Sequence, residues 1–381
     1  MYDKFFINAA IIFWLVFIGV ICVIVMHQGV LRTVTPNYFT AAELWLQGRD
    51  LYDATGHGFI YLPQAAILFI PFAYLAQWNF AGAEIVWRLI SLLLLMLAIW
   101  HFAGLVEQKF LARTFFIITL VTLPLVFSSA RNGQFNTILT VMMLFATCAV
   151  AKARWSLAVF YLVMGFALKP TMIVLLLLLW GLYRPLWWRV PVGLLVMFLL
   201  PFFTQTPYYV VAQYSKSIGM LQVVAAVGAN TAGYTQFFSL LAQLKVIMSL
   251  GLQNIIRGVV AVYVWFCGFI AKRFFKQNYL AIYLYTLATS YLMLFNPRTE
   301  GNDYGIIAPA VGLFISLSYA WRDKKQFWWL IFVVVGLIVS GHFTFIMGQN
   351  GYDYWSAPFF TLIFVIIIAR IFMLRKNFLC K

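Results

Sequence analysis

The sequence alternates long apolar runs with short polar or charged segments, and this pattern predicts helices that cross a membrane several times. Because a membrane-spanning helix needs roughly 20 consecutive apolar residues, we expect about twelve such helices. They are predicted near residues 5–26, 81–105, 113–129, 135–151, 156–168, 171–183, 188–203, 251–271, 278–296, 304–320, 327–347 and 355–373. The expected fold is therefore a single all-α, polytopic integral-membrane domain over residues 1–381.

Two of these predicted helices are short, and the pair Lys169-Pro170 separates them. Proline lacks a backbone N–H and clashes with the preceding helical turn, so a single straight helix over residues 156–183 is excluded. We expect a broken hairpin instead. Membrane proteins tolerate such irregular backbone where it lines a cavity.

The charges divide the predicted loops into two sides. Sixteen Lys and Arg residues fall on the side of both termini and six on the other, so we expect both termini to be cytoplasmic. The net charge of +16 then follows from topology, and nucleic acid is not an expected partner. Six of the ten Asp and Glu residues lie on the outer side, which favours acid–base chemistry there, although acids also occur in ordinary exposed loops.

Composition supports the same class of protein. Hydrophobic residues make up 64% of the chain, charged residues 9%, and the mean hydropathy is +0.93. Soluble domains contain roughly 45–50% apolar and 25% charged residues, so an ordinary soluble domain is excluded. A transmembrane β-barrel is disfavoured because its strands alternate polar and apolar side chains. The four cysteines and four histidines are dispersed, so no metal site is expected.

Two predicted outer loops, at about 27–80 and 204–250, are long, and long ordered loops are usually functional. The first contains a predicted interfacial helix at 37–46 and an apolar stretch at 62–71 that is too short to span a membrane. The second contains an amphipathic stretch at 234–248.

Several short segments resemble the motifs of a known family, in order along most of the chain. They are Tyr38–Ala42, Leu46–Tyr52, Phe59–Pro63, Asn132–Asn136, Gly165–Thr171 and Asn296–Arg298. They are similar to motifs of the bacterial glycosyltransferase family 87, which includes polyprenyl-phosphomannose-dependent mannosyltransferases. The resemblance implies a GT-C-like helical bundle in the bacterial inner (plasma) membrane.

The same resemblance implies an activity. The enzyme would move a hexose, mannose by analogy, from a polyprenyl-phosphate donor to a glycolipid or envelope glycan acceptor on the outer face. Its partners would be those two substrates and the membrane lipids. The phosphate of such a donor is already an activated leaving group, so no cofactor is expected.

One departure from the family's pattern concerns the catalytic base. The resemblance implies an acidic residue shortly before the aromatic pair, and Val34 stands at that spacing. The chain has no Asp or Glu between Asp3 and Glu43. The base must come from elsewhere, or the activity is altered or lost.

Transfer with inversion needs a base for the acceptor hydroxyl and cations for the departing phosphate. The candidate catalytic bases on the outer side are the carboxylates of Asp303, Glu300 and Asp50, with Glu43 and Asp53 as further possibilities. The candidate ligands of the donor phosphate are Arg131, Lys169 and Arg298. The resemblance adds two residues as polar support, Gln134 and Asn136.

Each candidate has a simpler interpretation. Lys169 could extend its side chain to the membrane interface, and Asp303 could cap a helix. Asp50 lies in a glycine-bounded turn, where Asp is common. Aromatic residues are abundant and form interfacial belts in membrane proteins, so none is assigned to the site.

Three other functions stay open. A flippase or transporter of lipid-linked sugars would need polar residues at mid-membrane and an internal repeat. A glycan polymerase or ligase would need an outer loop rich in Arg and His. An inactive GT-C relative would account for Val34.

Overall fold

The computed structural model describes residues 2–28, 33–52, 58–229, 234–347 and 354–374, with the side chains of residues 2, 28, 227–229, 341–347 and 374 outside the description. Within these ranges the protein is all helical and contains no strand. The α-helices are α1 (Tyr2–Gln28), α2 (Thr35–Leu46), α3 (Pro63–Trp78), α4 (Phe80–Ala103), α5 (Leu111–Asn132), α6 (Phe135–Ala151), α7 (Trp155–Leu168), α8 (Ile173–Leu182), α9 (Arg189–Leu199), α10 (Pro207–Ala229), α11 (Phe237–Gln243), α12 (Leu250–Phe274), α13 (Gln277–Phe295), α14 (Ala308–Ala320), α15 (Lys324–Met347) and α16 (Ser356–Leu374). The all-α prediction is confirmed.

Six helical segments in the described ranges are long and apolar enough to cross a membrane. They are Asp3–His27, Phe80–Ala103, Gln108–Asn132, Arg184–Phe203, Leu250–Phe274 and Ser356–Met373. Four shorter apolar helices accompany them, at Phe135–Ala151, Trp155–Leu168, Pro170–Leu182 and Ala308–Ala320. These helices support a multi-pass membrane protein, but the expected number of about twelve spans is not confirmed.

The surface of the long helices is apolar. On α12, for example, Ile255, Val259 and Val262 are each more than 60% exposed. Large apolar areas of this kind are unfavourable in water and are suited to contact with lipid. The interior is formed around α5, which packs against α1, α4 and α14, and around α6, which packs against α4, α7 and α13.

The predicted helix break at Lys169-Pro170 is confirmed. Helix α7 ends at Leu168, Lys169 has an extended backbone (φ −144°, ψ 112°), and a 3-10 turn over Pro170–Met172 leads into α8. The residue before a proline disfavours the α conformation, which explains why the break falls at Lys169.

The two long loops contain more helix than the sequence predicts. Helix α3 continues through Pro71 to Trp78, beyond the expected apolar stretch at 62–71. Helix α10 has 23 residues and lies in a region for which no helix is predicted. In contrast, the stretch at 234–248 forms only the seven-residue helix α11. Side-chain packing between segments distant in sequence stabilises these helices, and local sequence patterns do not report such packing.

Candidate active site

A cavity of about 720 Å³ lies where the start of α2, the start of α6, the α7–α8 break, α10 and the loop after α13 meet. Its lining includes both polar and charged groups, namely Asn37, Gln134, Asn136, Lys169, Arg298, Glu300 and Asp303. One wall is apolar and comes from α10, through Met220, Leu221, Val223, Val224 and Ala225. The cavity is therefore amphiphilic, with charged groups in one part of its lining and an apolar stretch of α10 in another.

The extended backbone at Lys169 directs this side chain into a cluster of polar groups. Its ammonium Nζ lies 3.0 Å from Asp303 Oδ1 and also donates a hydrogen bond to Asn136 Oδ1. Burial acts to lower the pKa of the Lys169 ammonium, but the Asp303 carboxylate, with Tyr61 and Glu300, holds that pKa above its ordinary value. Lys169 is therefore a fixed positive charge in the cavity.

The 3-10 turn over Gly301–Ile306 brings the two acids together. Its N-cap is Glu300, and Glu300 and Asp303 form a reciprocal capping box, in which each side chain accepts the other's backbone N–H. The Glu300 N–H lies 2.8 Å from Asp303 Oδ2. Both carboxylate oxygens of Asp303 are thus engaged, since Oδ1 already accepts from Lys169.

Glu300 differs from Asp303 in its exposure. The Glu300 side chain is 38% exposed, whereas that of Asp303 is 5% exposed. Burial raises the pKa of Glu300, and the adjacent Asp303 carboxylate raises it further, against the lowering effects of Lys169 and Arg298. A raised pKa strengthens a carboxylate as a proton acceptor, so Glu300 has the properties of a general base.

Arg298 stands beside Glu300, with its Nε 3.7 Å from Glu300 Oε1. Its guanidinium also lies 6.0 Å from the ring centroid of Tyr234, within the range of a cation–π contact. Arg298 and Lys169 therefore provide two cations in the same cavity, and such a pair suits an anionic ligand.

The turn between α5 and α6 supplies the amide groups. Gly133 adopts a left-handed backbone (φ +68°), which reverses the chain and starts α6 at Phe135. Asn136 Nδ2 then donates to Gln134 Oε1 at 3.0 Å, while Asn136 Oδ1 accepts from Lys169. Asn136 therefore orients the Lys169 ammonium, and Gln134 in turn orients Asn136.

A buried ion pair on α4 holds this turn in place. Arg88 Nη1 lies 2.6 Å from Glu84 Oε2, and the two side chains are 2% and 1% exposed. Arg88 Nη2 also donates to Thr33 Oγ1 at 2.9 Å and to the Arg131 carbonyl at 3.0 Å. The pair therefore connects the segment before α2 to the α5–α6 turn.

Six of the eight predicted site residues line this cavity, and two do not. Asp50 pairs with Lys216 and accepts the Tyr52 N–H at 3.1 Å. Burial acts to raise the pKa of Asp50, but hydrogen bonds from Lys216 and Tyr52 hold it below its ordinary value. Arg131 Nε donates to Asn132 Oδ1 at 3.1 Å. The site roles predicted for Asp50 and Arg131 gain no support from the cavity.

The remaining acidic candidates lie apart or outside the described residues. Glu43 Oε1 accepts a hydrogen bond from Gln77 Nε2 at 3.0 Å, and Glu43 does not line the cavity. Asp53 lies outside the described residues. Val34, at the position where the resemblance implies an acid, does line the cavity.

Sequence reasoning missed the aromatic part of the lining, formed by Tyr38, Tyr61 and Tyr234. Tyr38 and Tyr61 both lie in motif-like segments of the first loop, which was the only available signal. In the described part of the chain, no group of three or more His, Cys, Asp and Glu residues is placed to hold a metal ion.

These features define a class: a helical membrane protein with an amphiphilic cavity that combines a pair of acids with a pair of cations. The sequence model of glycosyltransferase family 87 matches residues 59–297, more than half of the chain, and the protein belongs to this family. Membership implies transferase activity, with a sugar donor and an acceptor as substrates. A comparison with curated proteins finds no match.

Proposed function

We propose that the protein transfers a hexose, mannose by analogy, from a polyprenyl-phosphate donor to a lipid-linked or envelope glycan acceptor. The reaction would take place at the outer face of the bacterial inner membrane. The observation that carries this proposal is the cavity itself, whose lining combines Lys169, Arg298 and Glu300 with an apolar stretch of α10. A sugar donor with an anionic headgroup and a hydrocarbon tail matches both the charged and the apolar part of this lining.

The chain's own residues can be assigned to the steps of a single displacement. The acceptor hydroxyl oxygen attacks the anomeric carbon, and the bond from that carbon to the phosphate oxygen breaks. Glu300 takes the hydroxyl proton as general base. Lys169 and Arg298 stabilise the negative charge that develops on the departing phosphate.

Asp303 takes a positioning role in this scheme. Its two oxygens accept from Lys169 and from the Glu300 backbone, so it holds the cation and the base at a fixed spacing. Glu300 is more exposed and has the raised pKa that a base requires. We therefore propose that Glu300 is the catalytic base. It would take the role of the acid that the family resemblance implies at the position of Val34.

The test is a transfer assay with purified protein in liposomes. Labelled polyprenyl-phosphate mannose and polyprenyl-phosphate glucose are supplied with an envelope lipid extract as acceptor, and labelled glycolipid product is measured. Wild type should form product from one of these donors, and Glu300→Gln should not. Glu107→Gln, an exposed acid outside the cavity, serves as the matched control and should retain full activity.

The same preparation separates the alternatives. Movement of the donor between leaflets without transfer would support a flippase. Neither movement nor transfer would support an inactive relative, and a gain of transfer in Val34→Asp would then identify the missing acid as the cause.

A further inference from the structure

The Tyr61 side chain is held rigidly at the cavity wall. Its ring packs edge-on against Phe135, with centroids 4.7 Å apart and an interplanar angle of 90°, and lies 5.6 Å from the ring of Phe59. Its backbone carbonyl accepts a hydrogen bond from the Tyr52 hydroxyl at 2.7 Å. A half-buried aromatic ring that is fixed on several sides presents its hydroxyl in one place.

The Tyr61 hydroxyl is the end of a short chain of polar contacts. It lies 3.3 Å from the Tyr38 hydroxyl, and the Tyr38 ring stacks on Phe135 at 4.2 Å. Either hydroxyl can be the donor in this contact, and each hydroxyl has a single proton to give. When the Tyr38 hydroxyl donates to the Tyr61 oxygen, the Tyr61 proton is left for a group in the cavity.

Lys169 offers a second donor nearby. An ammonium has three N–H donors, and Lys169 gives one to Asp303 and one to Asn136, which leaves one without a partner among the described residues. Lys169 and Tyr61 interact electrostatically and both line the cavity. Burial raises the pKa of the Tyr61 phenol although Lys169 acts in the opposite direction, so the hydroxyl stays protonated at neutral pH. The cavity therefore contains a charged hydrogen-bond donor, the Lys169 ammonium, and a neutral one, the Tyr61 hydroxyl.

We propose that the Tyr61 hydroxyl donates a hydrogen bond to a phosphate oxygen of the bound donor, beside the ammonium of Lys169. This inference rests on the proposed function, because it requires a lipid phosphate in the cavity. Tyr61 would then contribute to donor affinity before transfer and stabilise the phosphate as it departs.

The experiment measures the binding of polyprenyl phosphate, which lacks the sugar, to the full-length protein in nanodiscs. Tyr61→Phe removes only the hydroxyl and should weaken binding roughly 10-fold, as expected for a hydrogen bond to a charged group. Tyr38→Phe leaves the Tyr61 proton in place and should weaken binding less. Tyr209→Phe is the matched control, since that hydroxyl donates to the Arg49 carbonyl outside the cavity lining, and it should bind as wild type does.

A neutral polyprenol with the same tail provides the second arm. Its binding should be the same for wild type and Tyr61→Phe, because it has no phosphate to contact. Equal phosphate binding by wild type and Tyr61→Phe would overturn this inference alone, as would a larger loss in Tyr38→Phe than in Tyr61→Phe. A wild-type protein that binds no polyprenyl phosphate would overturn both this inference and the proposed donor.

Discussion

Lys169 Nζ lies 3.0 Å from Asp303 Oδ1 and thereby connects the α7–α8 break to the turn before α14, two segments 134 residues apart in sequence. The contact limits what each residue can do. Asp303 is nearly buried and has both oxygens engaged, so it is less accessible to an acceptor hydroxyl than Glu300 is. The neighbouring Glu300 lines the cavity, is more exposed than Asp303, and is therefore the acid better placed to take a proton from an acceptor.

Replacement of Glu300 by Gln should lower kcat by at least about 100-fold, because general base catalysis contributes 10²–10⁴-fold and the amide cannot accept the proton. The donor KM should change little, since the side-chain shape is preserved. Initial rates across a range of donor concentrations separate the two parameters. Retention of more than a tenth of the wild-type kcat would exclude Glu300 as the base.

The pH dependence of kcat/KM should report the Glu300 carboxyl. A general base works only when deprotonated, so activity should rise with pH through the raised pKa of Glu300. Asp303→Asn removes a negative neighbour that raises this pKa, so the acidic limb should move to lower pH. Complete pH profiles of wild type and Asp303→Asn show in which direction the acidic limb moves. If the limb stays at the same pH, a group other than Glu300 titrates.

Arg298→Gln should move the same limb in the opposite direction. Arg298 lowers the pKa of Glu300, and its loss leaves the carboxyl to protonate at higher pH. The variant should also raise the donor KM roughly 10-fold, because a hydrogen-bonding cation for the phosphate is lost. Arg49→Gln, outside the cavity lining, is the matched control. A shift to lower pH in Arg298→Gln would contradict the arrangement of charges described here.

The α5–α6 turn should tolerate no side chain at Gly133. A Cβ there would lie 2.7 Å from Arg88 Nη2 and from Thr35 Cγ2, and the backbone is left-handed. Gly133→Ala should therefore lower the free energy of unfolding by at least about 1 kcal/mol. The variant should show a lower thermal midpoint and reduced activity. Gly219→Ala on α10, where a Cβ meets nothing within 4 Å, should raise the midpoint or leave it unchanged. A thermal shift measurement in detergent compares the two variants, and equal midpoints would refute the steric argument.

The fold class and the helix break could be predicted because they rest on local physics. Apolar runs report membrane insertion, and Pro170 interrupts a helix wherever it stands. The number of membrane-spanning helices was harder to predict. Helices such as α3, α10 and α11 depend on packing against distant segments, and their lengths differ from what their sequences indicate.

Site residues could be predicted from the sequence only where the predicted topology or a motif-like segment pointed to them. Glu300 and Asp303 were predicted as acids on the outer side, and Lys169 and Arg298 as cations in motif-like segments. All four residues line one cavity. Asp50 lies outside the cavity lining because it pairs with Lys216, on a helix that the sequence did not predict. The tyrosines were set aside because aromatic residues are common at membrane interfaces, and only tertiary structure distinguishes a belt from a cavity wall.

The buried Glu84–Arg88 pair should be far more important for stability than an exposed pair of the same type. Glu84→Gln leaves the Arg88 guanidinium buried without its counter-ion, and loss of one partner of a buried pair costs about 3–5 kcal/mol. Glu107→Gln breaks the ion pair with Lys109, in which both side chains are more than half exposed, and should cost at most about 1 kcal/mol.

Denaturant or thermal unfolding in matched detergent should rank these two variants clearly, and Glu84→Gln should also lose transfer activity. The pair fixes Thr33 and the Arg131 carbonyl, so its loss would release the segment before α2 from the turn that carries Gln134. The double variant Glu84→Gln with Arg88→Met removes the unpaired charge and should recover part of the stability but not the activity. Full recovery of activity in that double variant would show that the pair does not position the cavity wall.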